Sequence, residues 1–329
     1  MKKITKSLRR SKMRVIFMGT PDFSVPTLRT LAESDNEVIA VYTQPDKPKG
    51  RGHAMQFTPV KECALEYNIP VYQPNRVRDV MCIEEIREMA PDVIIVVAYG
   101  QILPKELLEI PTYGCINVHA SLLPKYRGAA PIQWTVIDGE EFTGVTAMQM
   151  DVGLDTGDML EKIIVPIEKD ETGGSLHDKL SVLGGDIILN VFEKIKNGTL
   201  TREKQDDEVA TYCGKLDKTM GLLDFSKPAL QLERLIRGLN PWPCAYTSLD
   251  GKNLKLWKAY VVGFDELQDV EHIDDSEYGT ILKVTKNAIM VKAMDGMLSI
   301  TELQLEGKKR MDAADFIRGY QALEGKVLG

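Results

Sequence analysis

Apolar residues along the first 160 positions fall into short runs, and most runs are followed by a segment in which apolar residues recur every three or four positions. The runs RVIFMG (14–19), EVIAVYT (37–43), PDVIIVVAYG (91–100) and GCINVHA (114–120) read as strands, and TGVTAMQM (143–150) as a fifth. The segments 24–34 and 59–67 read as helices, each with a proline that suits a first turn. Runs such as Val93–Ala98 do not alternate, so both of their faces are buried, as in a parallel sheet covered by helices on two sides. Strands separated by helices predict a doubly wound α/β domain, in which ligands gather at the carboxyl ends of strands. A long amphipathic helix is predicted over 174–199, closing at Asn197-Gly198.

The pattern then changes. Residues 201–215 are polar with few apolar anchors and read as a linker. One helix (229–240) precedes short strand-like runs between 254 and 307, with Asp295-Gly296 as a hairpin signal, and a last helix in DAADFIRGYQAL. Short strands joined by turns predict a small barrel. The expected division is a loose basic tail (1–12), a first domain (13–200), a linker (201–217) and a second domain (218–329). The acidic stretch 265–277 reads as a solvated insertion.

A length of 329 residues fits about two domains. The net charge of −7 excludes coating of nucleic acid by bulk charge and leaves room for a local basic patch. Five scattered cysteines without a C-x-x-C pair are neither a disulfide framework nor a zinc module, and fit the cytoplasm. No apolar stretch is long enough to span a bilayer, so no membrane is expected. GTPDFS after the first strand is not G-x-G-x-x-G, and neither a P-loop nor H-E-x-x-H occurs, so no metal is expected.

The chemistry lies elsewhere. Asn117 and His119 are two apart on one strand, so their side chains share a face. Two polar groups aimed together from a buried sheet are costly unless they meet something polar. An amide can donate to a developing oxyanion, and an imidazole can move a proton near neutral pH. Together they suit acyl transfer without a covalent nucleophile, since Ser121 lacks the G-x-S-x-G elbow. The plainer alternative is a core histidine satisfied by a backbone carbonyl. DVGLDTGD (151–158) is either an Asx-type turn or the source of a carboxylate, Asp155, that orients His119. The loop 43–57 carries Lys47, Lys49 and Arg51 on an acidic chain, as a solvated loop or a phosphate contact.

NVHASLLPKYRGAAPIQW (117–134) together with MDVGLDTGDML (150–160) resembles the folate-dependent formyltransferases. FMGTPDF, TQPDKPKGRG, VVAYGQILP, LERLIRGLNPWP and KLWKA narrow the resemblance to members that formylate methionine on initiator tRNA, from about Met13 to near the C-terminus. The resemblance implies a Rossmann-like catalytic domain followed by an OB-like β-barrel domain that binds tRNA. It implies formyl transfer from 10-formyltetrahydrofolate to the α-amine of methionine on initiator methionyl-tRNA; because both domains serve one tRNA, a monomer is expected. It implies catalysis by Asn117, His119 and Asp155, and folate contacts from Ser121, Leu122, Leu123, Pro124, Val97, Tyr99, Gly100 and Asp151. It assigns tRNA contacts to Arg51, Lys47 and Lys49, and Lys308, Lys309 and Arg310 could add to them from the second domain. Ala120 stands where the family often has Gly, and GLLDFS (221–226) where IDW is usual. The alternatives are formyl transfer to an amino-sugar nucleotide, hydrolysis of 10-formyltetrahydrofolate, and a catalytically silent tRNA-binding module.

Overall fold

The structure, a computed structural model, describes residues 12–49, 54–264, 275–320 and 322–329. The tail up to residue 11, Arg51 and residues 265–274 of the acidic stretch lie outside the described residues, as does the side chain of Lys49.

In chain order the first elements are β1 (Arg14–Gly19), α1 (Val25–Glu33), β2 (Glu37–Tyr42), β3 (Lys47–Lys49), β4 (Ala54–Gln56), α2 (Pro59–Glu66) and β5 (Val71–Tyr72). Then come α3 (Val80–Met89), β6 (Val93–Val97), α4 (Lys105–Leu108), β7 (Cys115–His119), β8 (Arg127–Gly128) and α5 (Pro131–Asp138). They are followed by β9 (Phe142–Gln149), β10 (Met159–Pro166) and α6 (Gly173–Asn197). Seven strands form one sheet in the order β10-β9-β7-β6-β1-β2-β5. β6, β1, β2, β5 and β7 pair in parallel, while β9 runs antiparallel to β7. All five residues of β6 are buried, which explains its unbroken apolar run. The helices at 80–89 and 131–138, which the reading of the sequence left unassigned, bury Cys82, Ile83 and Ile86, and Ile132 and Val136. Thr58 caps α2, its hydroxyl accepting from the Lys61 N–H at 3.2 Å.

The remaining elements are β11 (Tyr212–Cys213), α7 (Ala229–Gly238), β12 (Ala245–Leu249), β13 (Lys252–Val262), β14 (Ile281–Val284), β15 (Ile289–Lys292), β16 (Met297–Leu305), β17 (Met311–Asp312) and α8 (Ala313–Gly319). β12-β13-β16-β15-β14 form an antiparallel path, with β17 against β16. Buried and partly exposed residues alternate along β12, as expected of a sheet with one wet face. One apolar core gathers Leu256, Leu298, Ile300, Leu232, Ile236 and Phe316 from strands and helices. Ala293 N–H donates to Gly296 O at 2.8 Å, closing the β15–β16 turn at Asp295-Gly296.

The chain forms two compact units. One holds residues up to Gly128, Phe142–Val165 and His177–Tyr212; the other holds Ala129–Glu141, Pro166–Leu176 and Cys213–Gly329. The second unit thus includes α5, which packs on α7. Among the described residues no helix is long and apolar enough to cross a membrane.

Candidate active site

β7 sits between β6 and β9, with Asn117 in register with Val96 on one side and Met148 on the other. His119 is 6% exposed and Asn117 is half-buried. The strand is central, so its main-chain groups are taken by the sheet and only side chains are left for chemistry. Among the described residues, no hydrogen bond engages the Asn117 amide.

Both ring nitrogens of His119 have defined surroundings. Nε2 lies 2.8 Å from the Tyr126 carbonyl oxygen. A carbonyl only accepts, so this contact assigns a proton to Nε2. Nδ1 faces Asp155 Oδ2 at 3.7 Å, with side-chain exposures of 7% and 15%. That is an ion-pair distance, too long for a hydrogen bond. In the neutral ring a lone pair on Nδ1 meets a carboxylate. A proton arriving at Nδ1 lands between them and is stabilised by the carboxylate, so Nδ1 is the nitrogen free to work.

Asp155 reaches this position by an indirect route. Because β9 is antiparallel to β7, its end at Gln149 lies beside Ile116, far from the carboxyl end of β7. The segment 150–158 must fold back over the sheet to bring Asp155 to His119. Several contacts shape it. Asp151 Oδ1 accepts from Gly153 N–H at 2.9 Å and from Thr156 Oγ1 at 2.8 Å. Gly157 passes so near β9 that a Cβ there would lie 1.7 Å from the Gln149 carbonyl oxygen. Asp155 itself has φ +53°, a left-handed conformation that Asp tolerates better than most residues. Its Oδ2 accepts from Gly128 N–H at 2.9 Å, and its carbonyl accepts from Gln205 Nε2 at 2.8 Å.

The other expected contacts fall into place unevenly. Val97, Tyr99, Ser121 and Leu123 are buried, and Leu122 and Pro124 are half-buried. The Ser121 hydroxyl donates to Lys125 O at 2.7 Å, and Thr146 Oγ1 donates to Ser121 O at 2.6 Å. The Val97 carbonyl accepts from Ser24 Oγ at 2.6 Å, and the Tyr99 carbonyl from Thr20 Oγ1 at 3.0 Å and Gln44 Nε2 at 3.1 Å. Gly100 has φ +84°, which lets the chain turn away after β6. Apart from the buried Tyr99 hydroxyl, which has no hydrogen-bond partner among the described residues, the side chains of these residues build a wall. Val152 and Leu154 are exposed on the loop that carries Asp155.

Lys47 is exposed on β3, and the hairpin it belongs to is rooted by an ion pair. Lys61 Nζ lies 2.5 Å from Asp46 Oδ2 and 2.8 Å from Gln73 Oε1, and Gln73 Nε2 donates to Asp46 Oδ1 at 2.8 Å. The hydrogen bond from Lys61, with burial opposing it, holds the Asp46 carboxyl below the usual carboxylate range. In the second unit Lys308 and Lys309 are exposed. Arg310 differs: both ends of its guanidinium bond to Glu302, and it lies 4.4 Å from the Trp257 ring centre. Its charge is offset where it stands. Among the described residues no group of three or more His, Cys, Asp or Glu could hold a metal ion.

Reading of the sequence alone missed Tyr126, Arg127, Gly128 and Gln205. The stretch 201–215 reads as a linker, yet part of it lies along 124–128. Tyr126 N–H donates to Thr211 Oγ1 at 2.8 Å, and Arg127 N–H to Thr211 O at 2.9 Å. Its polar residues bond to main-chain groups, so no apolar periodicity announces it.

Comparisons with known proteins show the family of the chain. The family model described as formyl transferase matches residues 12–192, and that described as formyl transferase, C-terminal domain, matches 215–321. A methionyl-tRNA formyltransferase of Agathobacter rectalis is 55% identical, covering 95% of this chain and 98% of its own. One from Lachnospira eligens is 52% identical, covering 96% and 100%. Among solved structures, an N-formyltransferase from Helicobacter canadensis in complex with folinic acid and dTDP-3-aminofucose superposes with a TM-score of 0.66 at 18% identity, covering 91% of this chain and all of its own. At that identity the likeness concerns the fold. Two family matches in series, and relatives half identical along their whole length, place the chain in the methionyl-tRNA formyltransferase family.

Proposed function

We propose that the chain transfers a formyl group from 10-formyltetrahydrofolate to the α-amino group of methionine on initiator tRNA, the step that prepares it for translation initiation. The observation that carries the chemistry is the arrangement of His119: Nε2 held by a carbonyl, Nδ1 open beside the Asp155 carboxylate, and the Asn117 amide unengaged among the described residues on the same face. The choice of acceptor rests on the relatives named above.

Transfer forms a bond from the methionine nitrogen to the formyl carbon and breaks the bond from that carbon to the folate nitrogen, while one proton leaves the amine. The amine attacks as free base, because an ammonium has no lone pair. Negative charge grows on the formyl oxygen, where the Asn117 amide donates without bringing a charge of its own. His119 takes the proton at Nδ1 and returns it to the departing nitrogen, and Asp155 stabilises the imidazolium in between. The wall formed by Val97, Tyr99, Gly100 and Ser121–Pro124, with Asp151 organising its loop, shapes the place of the folate ring, which the exposed Val152 and Leu154 flank. Arg51, Lys47 and Lys49 meet the acceptor end of the tRNA, and Lys308, Lys309 and Arg310 its backbone. Arg310 serves there only if it exchanges Glu302 for phosphate.

The test is an assay of formyl transfer to charged initiator tRNA, with uncharged tRNA, an amino-sugar nucleotide and water as acceptors in parallel. Turnover confined to the charged tRNA is expected. Comparable turnover of the amino-sugar nucleotide, or hydrolysis alone, would overturn the assignment.

A further inference from the structure

Tyr126, Arg127 and Gly128 form one continuous stretch with three separate duties. The Tyr126 carbonyl accepts from His119 Nε2 at 2.8 Å, and the Gly128 N–H donates to Asp155 Oδ2 at 2.9 Å. Between them Arg127 is 1% exposed. Its guanidinium donates from Nε to Gln205 Oε1 at 3.0 Å, from Nη1 to Tyr212 Oη at 3.0 Å and from Nη2 to Asp207 Oδ1 at 2.8 Å. Gln205, its acceptor thus engaged, has its amide nitrogen fixed in direction. That nitrogen donates to the carbonyls of Asp155 and Gly157, both at 2.8 Å. The circuit closes on Asp155, held by its carboxylate from one side and its carbonyl from the other.

The geometry points to Gln205, oriented by Arg127, as a positioning residue for the reaction: it sets the backbone of Asp155 so that the carboxylate stands against His119 Nδ1. Asp155 needs such help for two reasons. Its left-handed backbone carries a conformational cost that the surroundings must offset. It also belongs to a folded-back segment that, at its far end, is tied to β9 where Gln149 N–H bonds to Asp158 O at 2.8 Å. Gln205 bonds to both carbonyls that bracket Thr156, pinning the turn at its centre. Among the described residues Gln205 bonds to neither His119 nor Asn117, so its main effect passes through Asp155.

The kinetic half of the test rests on the formyl-transfer reading above; the spectroscopic half does not. Two variants of the full chain are used: Gln205→Ala, and the isosteric Gln205→Glu, which keeps an acceptor for Arg127 but loses both donated bonds. The backbone amide of Gly128 is followed by NMR, with Asp155→Ala as reference for the unbonded amide. In both Gln205 variants the Gly128 amide should move upfield toward the Asp155→Ala position. With charged initiator tRNA, kcat should fall by about 10²-fold while KM for tRNA and for the folate stays within about twofold. Adding Gln205→Ala to Asp155→Ala should cost less than about twofold more. A Gly128 amide unmoved in both variants would overturn the inference whatever the reaction is. So would full additivity with Asp155→Ala, or loss of fold in both variants, since Gln205 would then be scaffold. A shifted Gly128 amide in a protein whose wild type formylates no tRNA would leave the positioning intact and remove the functional reading instead.

Discussion

Replacing Asp155 with Asn separates the charge of this residue from its shape. Asparagine keeps the size and an oxygen that can accept from Gly128 N–H, so the loop has no reason to move. What vanishes is the attraction between a carboxylate and a proton arriving on Nδ1 3.7 Å away. Two unit charges at about 4 Å attract by about 4 kcal/mol at the effective dielectric typical of protein sites. Gly128 already draws on the same oxygen, which brings the expected loss to about 2–4 kcal/mol. That corresponds to roughly 30-fold to 10³-fold in rate. The assay is single-turnover formyl transfer to charged initiator tRNA at saturating donor, with affinities for both substrates measured separately. The loss should appear in the rate of transfer and persist as salt rises, because side chains only 7% and 15% exposed are poorly screened. A loss below about fivefold, or one confined to affinity, would refute the role given to the carboxylate.

Asn117→Ala should lower kcat by roughly 10²–10³ with an unchanged melting temperature, and near-normal turnover would make the amide a structural group. Gly157→Ala places a methyl 1.7 Å from the Gln149 carbonyl oxygen, so the loop must shift; kcat should drop by more than about tenfold, and a wild-type rate would show the loop position to be unimportant. Lys61→Met removes the partner of Asp46 and Gln73 and should cost about 1–2 kcal/mol in denaturant unfolding. Since Lys61 lowers the folded-state pKa of Asp46, the pair's contribution is complete above the unfolded carboxylate pKa and lost as pH falls through the folded one. The gap between wild type and Lys61→Met should therefore close in acid, and a gap that widens there would contradict the pairing.

The sheet was legible because its central strands are buried on both faces, and burial on both faces writes an unbroken apolar run: β1, β2, β6 and β7 announced themselves. Asn117 and His119 stood out as violations of that same pattern. The short helix α4 and the helix α5 gave weaker signals, one for its four residues and the other because Trp134 and Ile137 blur its apolar stripe. The supports of the site were illegible for a different reason. Tyr126 and Gly128 act through main-chain atoms, which every sequence possesses, and Gln205 acts from a polar stretch 50 residues beyond the aspartate it holds. The plainer reading of His119 leaves room for the catalytic one: Nε2 is satisfied by a backbone carbonyl, while Nδ1 faces a carboxylate.

The grip on His119 and Asp155 by a carbonyl and an amide has an evolutionary consequence. Point mutation exchanges side chains and leaves peptide groups in place, save that proline removes an N–H, so most substitutions at 126 or 128 reach these contacts only through backbone conformation. Position 126 is constrained through its conformation, since Tyr126 has φ +60° and only residues that accept a left-handed backbone keep the carbonyl aimed at the ring. The proton inventory of the site is thereby buffered against drift in composition. Its vulnerable points are displaced to positions that steer the backbone from a distance, where a harmful variant would look, in a list of substitutions, like a harmless change on a polar loop.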